Sequence, residues 1–183
     1  MANGAVSLQA DCFPDNHRAN FVAQMRLVPG PVALVCSAYG DERTGMAATA
    51  WNSLCAEPPM LLVCVNRNAS ANEMIVSSGL FSVNLLSTND VETVAIFSAQ
   101  RGLSGATRFL DGQWNEGERG QPILKGAVAV FECALEAQHS HGTHDIFIGR
   151  VLHMTNTAGA EPLLYMNGGY CMPAPLLQTK QLV

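Results

Sequence analysis

Residues 45–53 read GMAATAWNS and, past Glu57-Pro58-Pro59, residues 60–65 read MLLVCV. The second run is a short apolar stretch bounded by prolines on one side and Asn66 on the other, the pattern of a strand buried on both faces. The first alternates small side chains up to Trp51 and is also strand-like. Upstream, Val32–Cys36 is another β-rich run between the Pro29-Gly30-Pro31 stop and a turn at Gly40-Asp41-Glu42-Arg43. Further upstream Phe21, Val22, Met25 and Val28 recur at helical spacing, with Asn16 as the cap. Residues 1–15 read as a loose entry segment, with Pro14 and Asp15 marking its expected end.

Downstream, Ser70 is expected to cap a short helix through Ile75 and Val76 that Gly79 closes. Leu80–Leu86 alternates apolar and polar residues, as a half-buried strand does, and a second helix is expected from Thr88 or Asn89 to Phe97, with Asp90 and Glu92 at its positive end. Residues 100–122 are loop-rich. Two more strands are predicted over 127–136 and 146–154, joined through His139-Ser140-His141-Gly142-Thr143-His144, and a last one over 162–166 before a tail at 172–183. Six or more strands without regular strand–helix alternation predict a mainly β fold, an antiparallel β-barrel with peripheral helices in a single domain.

Composition narrows the function. The chain has 183 residues, 48% hydrophobic and 14% charged, with a net charge of −5. An acidic balance without a Lys/Arg cluster argues against nucleic acid as a partner. The low charge fraction hints that a partner subunit covers part of the surface. Six cysteines without a CxxC pair do not make a disulfide framework, and Cys36 and Cys64 sit inside apolar runs, where a thiol behaves as a small hydrophobe. No basic segment followed by an apolar one opens the chain, and no apolar run approaches 18 residues, so a cytoplasmic protein without a membrane partner is expected. GxGxxG, GxxxxGK[ST] and GxSxG are all missing, which removes the common dinucleotide fold, the P-loop and the serine-hydrolase elbow.

Three constellations remain. Small side chains at 45–53 let a planar ligand approach main-chain groups, with Thr49, Asn52 and Ser53 adding hydrogen bonds; taken alone, the composition fits an ordinary strand packed on a helix better. Val65-Asn66-Arg67-Asn68-Ala69-Ser70 places a hydroxyl, a guanidinium and helix N-terminal N–H groups together, which suits a phosphate, although a capped helix beside a solvated arginine looks the same. His139, His141 and His144 could ligate a metal, but no Cys or Glu lies nearby to complete the set and Asp145 is too close in sequence. No metal is therefore expected. A single functional imidazole, His144 in Gly-Thr-His, is the more economical reading.

Read together, the segments resemble the flavin reductase-like family of FMN-binding split barrels, in particular the short reductase components of two-component flavin monooxygenases. The likeness lies in GMAATAWNSLCAEPP (45–59), LLVCVNRNAS (61–70), FSVNLL (81–86) and GTHDIFIGRV (142–151), with Trp114, Gly117 and 122–126 (PILKG) leading into the next strand and 163–165 (LLY) with Tyr170 closing the fold. The resemblance implies hydride transfer from NADH or NADPH to FMN or FAD, a homodimer, and a partner monooxygenase that receives the reduced flavin. It implies that Ala48, Thr49, Ala50 and Trp51 line the isoalloxazine, largely through main-chain groups, with Asn52 also binding the cofactor, that Val65, Asn66 and Arg67 follow the ribityl chain, and that Ser70 lies near the phosphate. It places Arg108 and Phe109 close to the flavin, with His144 and Tyr170 bordering the nicotinamide and His144 the catalytic candidate. Ala47 and Gly169 stand where the family often has Thr and Arg, and Thr143 where many members have Asp. The rival readings are a flavin-binding storage or sensor module without turnover, a pyridoxamine phosphate oxidase-type enzyme, and a histidine-cluster metal-binding barrel.

Overall fold

Antiparallel strand pairing accounts for most of the chain. The computed structural model describes residues 16–110 and 112–175; the leading segment 1–15 and the end of the tail, 176–183, lie outside the described residues. In chain order the elements are α1 (His17–Met25), β1 (Gly30–Pro31), β2 (Ala33–Tyr39), β3 (Glu42–Ala48), β4 (Trp51–Ala56), β5 (Pro59–Asn66), α2 (Ser70–Ser78), β6 (Leu80–Leu85), α3 (Val91–Phe97), a 3-10 turn (Gly105–Arg108), β7 (Trp114–Glu116), β8 (Pro122–Leu124), β9 (Ala129–His141), β10 (His144–Asn156), β11 (Leu164–Met166) and β12 (Gly169–Cys171).

The main sheet has seven strands in the order β3-β2-β6-β9-β10-β5-β4. Its two edge strands, β3 and β4, are consecutive in sequence and separated only by Thr49 and Ala50. Two residues span at most about 7 Å, so the sheet has to curl until its edges meet at that corner. The strand expected over 45–51 is therefore two strands broken at Thr49-Ala50. β1, β11 and β12 form a small sheet and β7 pairs with β8.

The barrel interior holds Ala33, Val35, Val63, Val65, Phe81, Val83 and Phe147, closed at one end by Ala71 and Ile75 of α2. Leu34, Cys36, Leu86 and Val130 face the other way, onto α3 and the β8 region, where Val94, Phe97, Phe109 and Leu124 complete a second core. Burying a ring as fully as Phe81 or Phe147 contributes about 2–3 kcal/mol.

Several expectations are corrected. β6 is covered on both faces rather than half-buried: Phe81 and Val83 enter the barrel, while Ser82 and Asn84 grip the β8 segment. The Ser82 hydroxyl donates to the Pro122 carbonyl at 2.6 Å, and Asn84 Oδ1 accepts the Leu124 N–H at 2.9 Å. β5, expected to be buried on both faces, alternates: Leu61, Val63 and Val65 are interior, whereas Met60, Leu62 and Cys64 lie on an outer face that the chain only half covers. β9 runs on to His141 and β10 begins at His144, so the turn shrinks to Gly142-Thr143. The loop-rich stretch 100–122 contains the 3-10 turn and β7. Neither Asn16 nor Ser70 caps a helix with its side chain; Ala69 occupies the position before α2. Helix α1 forms as its spacing predicts, yet none of its residues is buried.

The β9–β10 ribbon is irregular at Ile148/Gly149 and Val151/His153, which adds curvature to the barrel wall. At the first irregularity a Cβ on Gly149 would collide with the Phe81 ring and lie 2.9 Å from Cys133 Cβ. Neither side chain can retreat from a close-packed interior. Gly149→Ala is expected to lower the unfolding free energy by about 1–3 kcal/mol, read as an earlier midpoint in a urea melt with unchanged slope.

Candidate active site

The corner at Thr49-Ala50 is tied down from three sides. Cys64 N–H donates to the Ala50 carbonyl at 2.8 Å, joining the corner to β5. The Trp51 indole N–H donates to the Pro31 carbonyl at 3.0 Å, and its ring leans on Phe131 at 6.2 Å. Beside the corner a cavity of about 360 Å³ opens between Ala47, Ala48 and Thr49, the end of α3 (Val94, Ser98) and the β11–β12 hairpin.

That hairpin supplies the aromatic wall. Asn167 and Gly168 both have positive φ, 52° and 82°, as a two-residue turn of matching twist requires. The tight turn sets Tyr165 directly opposite Tyr170, with rings edge to face at 5.5 Å. Partial burial pushes the Tyr170 hydroxyl pKa up, with a further push from Tyr165. Tyr170, from the sequence reading, and Tyr165, which that reading gave no role, both line the cavity.

A second group forms where β5 ends beside β10. His144 pairs with Asn66 across the strands, and Arg67 N–H donates to the Thr143 carbonyl at 3.0 Å. His144 Nδ1 lies 2.9 Å from the Thr143 hydroxyl, which leaves Nε2 for a ligand. Asn66 Oδ1 accepts the Asn68 N–H, shaping the turn into α2. Beneath His144 sits the buried carboxylate of Asp145, which accepts from Asn72 Nδ2 at 2.8 Å and Gln138 Nε2 at 2.9 Å. Ser140 and Asn72, then Gln138 and the Arg67 charge, hold its carboxyl below the ordinary value against the opposing effect of desolvation. This network locks the strand that carries His144 to α2.

A third group bridges β3, α2 and the 3-10 turn. Ser70 Oγ and Thr44 Oγ1 are 2.6 Å apart, and Arg108 donates from Nη2 to Thr44 Oγ1 at 2.9 Å and from Nη1 to the Gly45 carbonyl at 2.8 Å. The guanidinium lies over Phe97 at 5.4 Å, and its Nε is buried with no partner. Burial pulls the Arg108 pKa down. Phe97, Phe109 and Trp114 pack together beneath, and Arg43 covers the Phe109 ring at 4.8 Å.

The structure thus gathers Ala48, Thr49 and Tyr170 around one cavity, Asn66, Arg67 and His144 at one strand end, and Ser70 with Arg108 in one network. Ala50 is part of the corner itself, and Trp51 and Asn52 run away from it along β4. The side chains of Val65 and Phe109 are interior, so Val65 offers a ligand only main-chain groups and Phe109 acts as support under Arg43. The roles of Thr44 and Asp145 carry little local signal, because Thr44 meets Ser70 across 26 residues and Asp145 meets Asn72 across 73, with only Gln138 close in sequence. Among the described residues no three His, Cys, Asp or Glu side chains form a metal cluster. His139 and His144 are on neighbouring strands, but His139 faces Ile146 rather than His144.

The profile of the family described as flavin reductase like domain matches residues 25–173. The chain belongs to the flavin reductase-like family. It is 35% identical over 164 residues to the reductase component of a FADH(2)-dependent resorcinol hydroxylase from Rhizobium sp. (strain MTP-10005), covering 88% of this chain and 90% of that one. It is 39% identical over 128 residues to an FMN reductase (NADH) of Agrobacterium fabrum, covering 70% and 72%. The solved structure of a Streptomyces globisporus NADH:FAD oxidoreductase in complex with NAD and FAD fragments superposes with a TM-score of 0.80 at 28% identity, covering 91% of this chain and 98% of that one. The mainly β architecture with peripheral helices is the family's split-barrel fold.

The residues present fit a flavin. A planar ring needs a wall without bulky side chains, which Ala47, Ala48 and Thr49 supply, and the phosphate end needs cationic or hydroxyl donors, which Arg108, Thr44 and Ser70 supply. The depressed Asp145 pKa has a consequence for stability. An unfolded aspartate titrates at about 4, so Asp145 stabilises the fold above that pH, and the contribution is lost as pH falls through its lower native value. Asp145→Asn is expected to reduce stability at pH 7 and to flatten its decline between about pH 5 and 2, measured by urea melts across that range.

Proposed function

We propose that this chain is an NADH-dependent flavin reductase that passes reduced FMN or FAD to a partner monooxygenase. The observation that carries the reading is the corner cavity, with a wall of small residues on one side and Tyr165 and Tyr170 on the other, on a fold whose relatives are named as FMN and FAD reductases. The named reductase component of resorcinol hydroxylase supports the two-component arrangement. NADPH is the lesser donor in this reading, and Gly169, where the family often has Arg, bears on that preference.

When bound, the nicotinamide and the flavin supply the redox chemistry, a hydride passing from one ring to the other. The protein's part is positional. Ala48, Thr49, Ala50, Trp51 and Asn52 present main-chain groups along the ring system, Asn66 and Arg67 follow the ribityl chain with the main chain of Val65, and Ser70 and Arg108 hold the phosphate end. His144 orients the nicotinamide through its free Nε2, and Tyr170 bounds the same space. No nucleophile or carboxylate pair is required.

The same reading makes the protein a cytoplasmic homodimer. Helix α1 and the residues after it expose Phe21 (62%), Met25 (49%), Leu27 (62%) and Val28 (55%) on one chain, and β5 leaves its outer face half covered. Such apolar area supports a subunit contact. No helix among the described residues is long and apolar enough to cross a membrane.

Mixing the protein anaerobically with FMN or FAD and then NADH tests the function: flavin absorbance is expected to bleach at a saturable, protein-dependent rate. Tight flavin binding without bleaching by NADH or NADPH would leave a storage module, and no flavin binding at all would remove the reading. His144→Ala is expected to raise KM for NADH about tenfold with a smaller change in flavin affinity; unchanged kcat and KM would take His144 out of the site. On a sizing column at micromolar concentration the protein is expected to elute as a dimer, and Phe21→Glu with Leu27→Glu to shift it towards the monomer.

A further inference from the structure

Helix α3 ends in a closed turn. The Gln100 N–H donates to the Ala95 carbonyl at 3.0 Å and the Ala99 N–H to the Ile96 carbonyl at 3.3 Å, with Ala99 at a left-handed φ of 60°. Helices commonly stop with this pairing, and glycine is its usual left-handed residue because a Cβ there crowds the backbone. The residue after it is often apolar and packs back on the helix. Here that residue is Gln100, which lines the corner cavity together with Ser98, whereas Ala99 faces the Arg108 side. We propose that Gln100 is a specificity-determining residue of the reductase, whose carboxamide pairs with an amide edge of the bound ring, an N–H donor beside a C=O acceptor. The inference rests on the flavin reductase reading and deepens it.

Bonding capacity is the first argument. A glutamine side chain carries an acceptor oxygen and a donor NH2 side by side in one plane. Among the described residues none engages the Gln100 carboxamide. The other polar side chains at the wall, Thr49, Ser98, Tyr165 and Tyr170, offer single hydroxyls, and no wall residue is charged. A neutral planar partner with its own donor and acceptor side by side is therefore the group that Gln100 fits, through two hydrogen bonds closing a ring. The reaction supplies that chemistry from two sources. One is the ring N–H of the isoalloxazine with its neighbouring carbonyl, and the other is the carboxamide of the nicotinamide.

Placement is the second. Ala95, Ile96 and Phe97 are buried, and the Ser98 N–H donates to the Val94 carbonyl at 2.8 Å, so the turn that carries Gln100 rests on a packed helix. The left-handed Ala99 persists because that packing over-determines its backbone. Gln100 itself is exposed, which puts its carboxamide at the cavity mouth, where the edge of a ring rather than its face would meet it. Small side chains at Ala47 and Ala48 and the Tyr165–Tyr170 pair leave the faces to apolar contact. A site that hydrogen-bonds a ligand amide rejects an analogue lacking it, because its own polar group is then left unpaired.

The experiment compares each natural ring with an analogue that lacks the N–H. Gln100→Met keeps the length of the side chain, removes both hydrogen-bonding groups and, at an exposed position, touches neither core. Calorimetric titrations of the wild type and this variant give Kd for FMN and for FMN methylated at the ring N–H. On the FMN-loaded protein they give Kd for NAD+ and its acetylpyridine analogue, in which a methyl replaces the amide nitrogen. In the wild type, the analogue of the contacted ring should bind about tenfold more weakly than its parent. In Gln100→Met the parent should weaken by a similar factor, and the ratio for that pair should fall to within about twofold. Collapse of the FMN ratio assigns the contact to the flavin, and collapse of the NAD+ ratio assigns it to the donor. Both ratios unchanged between wild type and variant, with circular dichroism confirming the fold, would overturn the proposal even if the affinities themselves moved, because a merely structural role weakens parent and analogue alike. If the wild-type protein binds no flavin, the reductase reading itself has failed, a separate result.

Discussion

The corner made by Thr49 and Ala50 is the constraint on which the rest of the molecule depends. Because β3 and β4 are both edges and neighbours in sequence, the seven-stranded sheet can satisfy its connectivity only by rolling up. Rolling leaves a seam. At the corner the seam is closed by the Cys64 to Ala50 hydrogen bond and by Trp51 reaching Pro31. Towards the start of β3 it is bridged by side chains, Thr44 to Ser70 and Arg108 to Thr44 and Gly45. Main-chain pairing excludes ligands, whereas side-chain bridging leaves room and chemistry. The corner cavity and the Arg108 network accordingly lie beside β3, along the part of the barrel that ordinary pairing does not finish.

Buried polar groups maintain that geometry from behind. Asn84 and Ser82 fix the β8 segment against β6, and the Gln121 side chain exchanges hydrogen bonds with the Ala38 main chain as a strand neighbour would. These contacts hold the second core in register, and with it Phe97, Phe109 and Trp114, which carry the guanidinium groups of Arg43 and Arg108 on their faces. Leaving any of these polar groups unpaired in the interior costs the desolvation penalty, so the network specifies one arrangement of the β7–β8 region. The side chains that would meet a ligand thus rest on elements that cannot easily shift.

Local signals in the sequence correspond to local physics in the structure. Runs such as 60–65 and 80–86 and the helical spacing of 21–28 announce their elements because strand and helix periods are imposed residue by residue. The break at Thr49-Ala50 is silent because Ala, Thr and Ala fit a strand and a crossing equally well. The half-covered outer face of β5 is silent too, since an apolar run does not say which of its faces the chain itself covers. Arg108 could be placed near the site only through the family likeness, as its partners lie 63 and 64 residues away. Asp145 looked like a poor metal ligand and is instead the anchor beneath His144, a role set by Asn72 across 73 residues.

The arrangement explains why so few ionisable groups carry the chemistry. Two stacked rings react when they are parallel, close and dry, and an ionised side chain beside them would keep water in place. At the corner cavity the walls are Ala, Gly, Thr, Val, Ser, Gln and Tyr, with no carboxylate and no lysine. Charge is kept at the periphery of the proposed ligand path: Arg108 at one end, Arg67 and His144 at the other, and the Asp145 carboxylate buried beneath, held through its Oδ2 by Asn72 and Gln138. An uncharged, small-walled pocket that gives way along β3 to the Arg108 guanidinium matches a ligand that is aromatic at one end and anionic at the other.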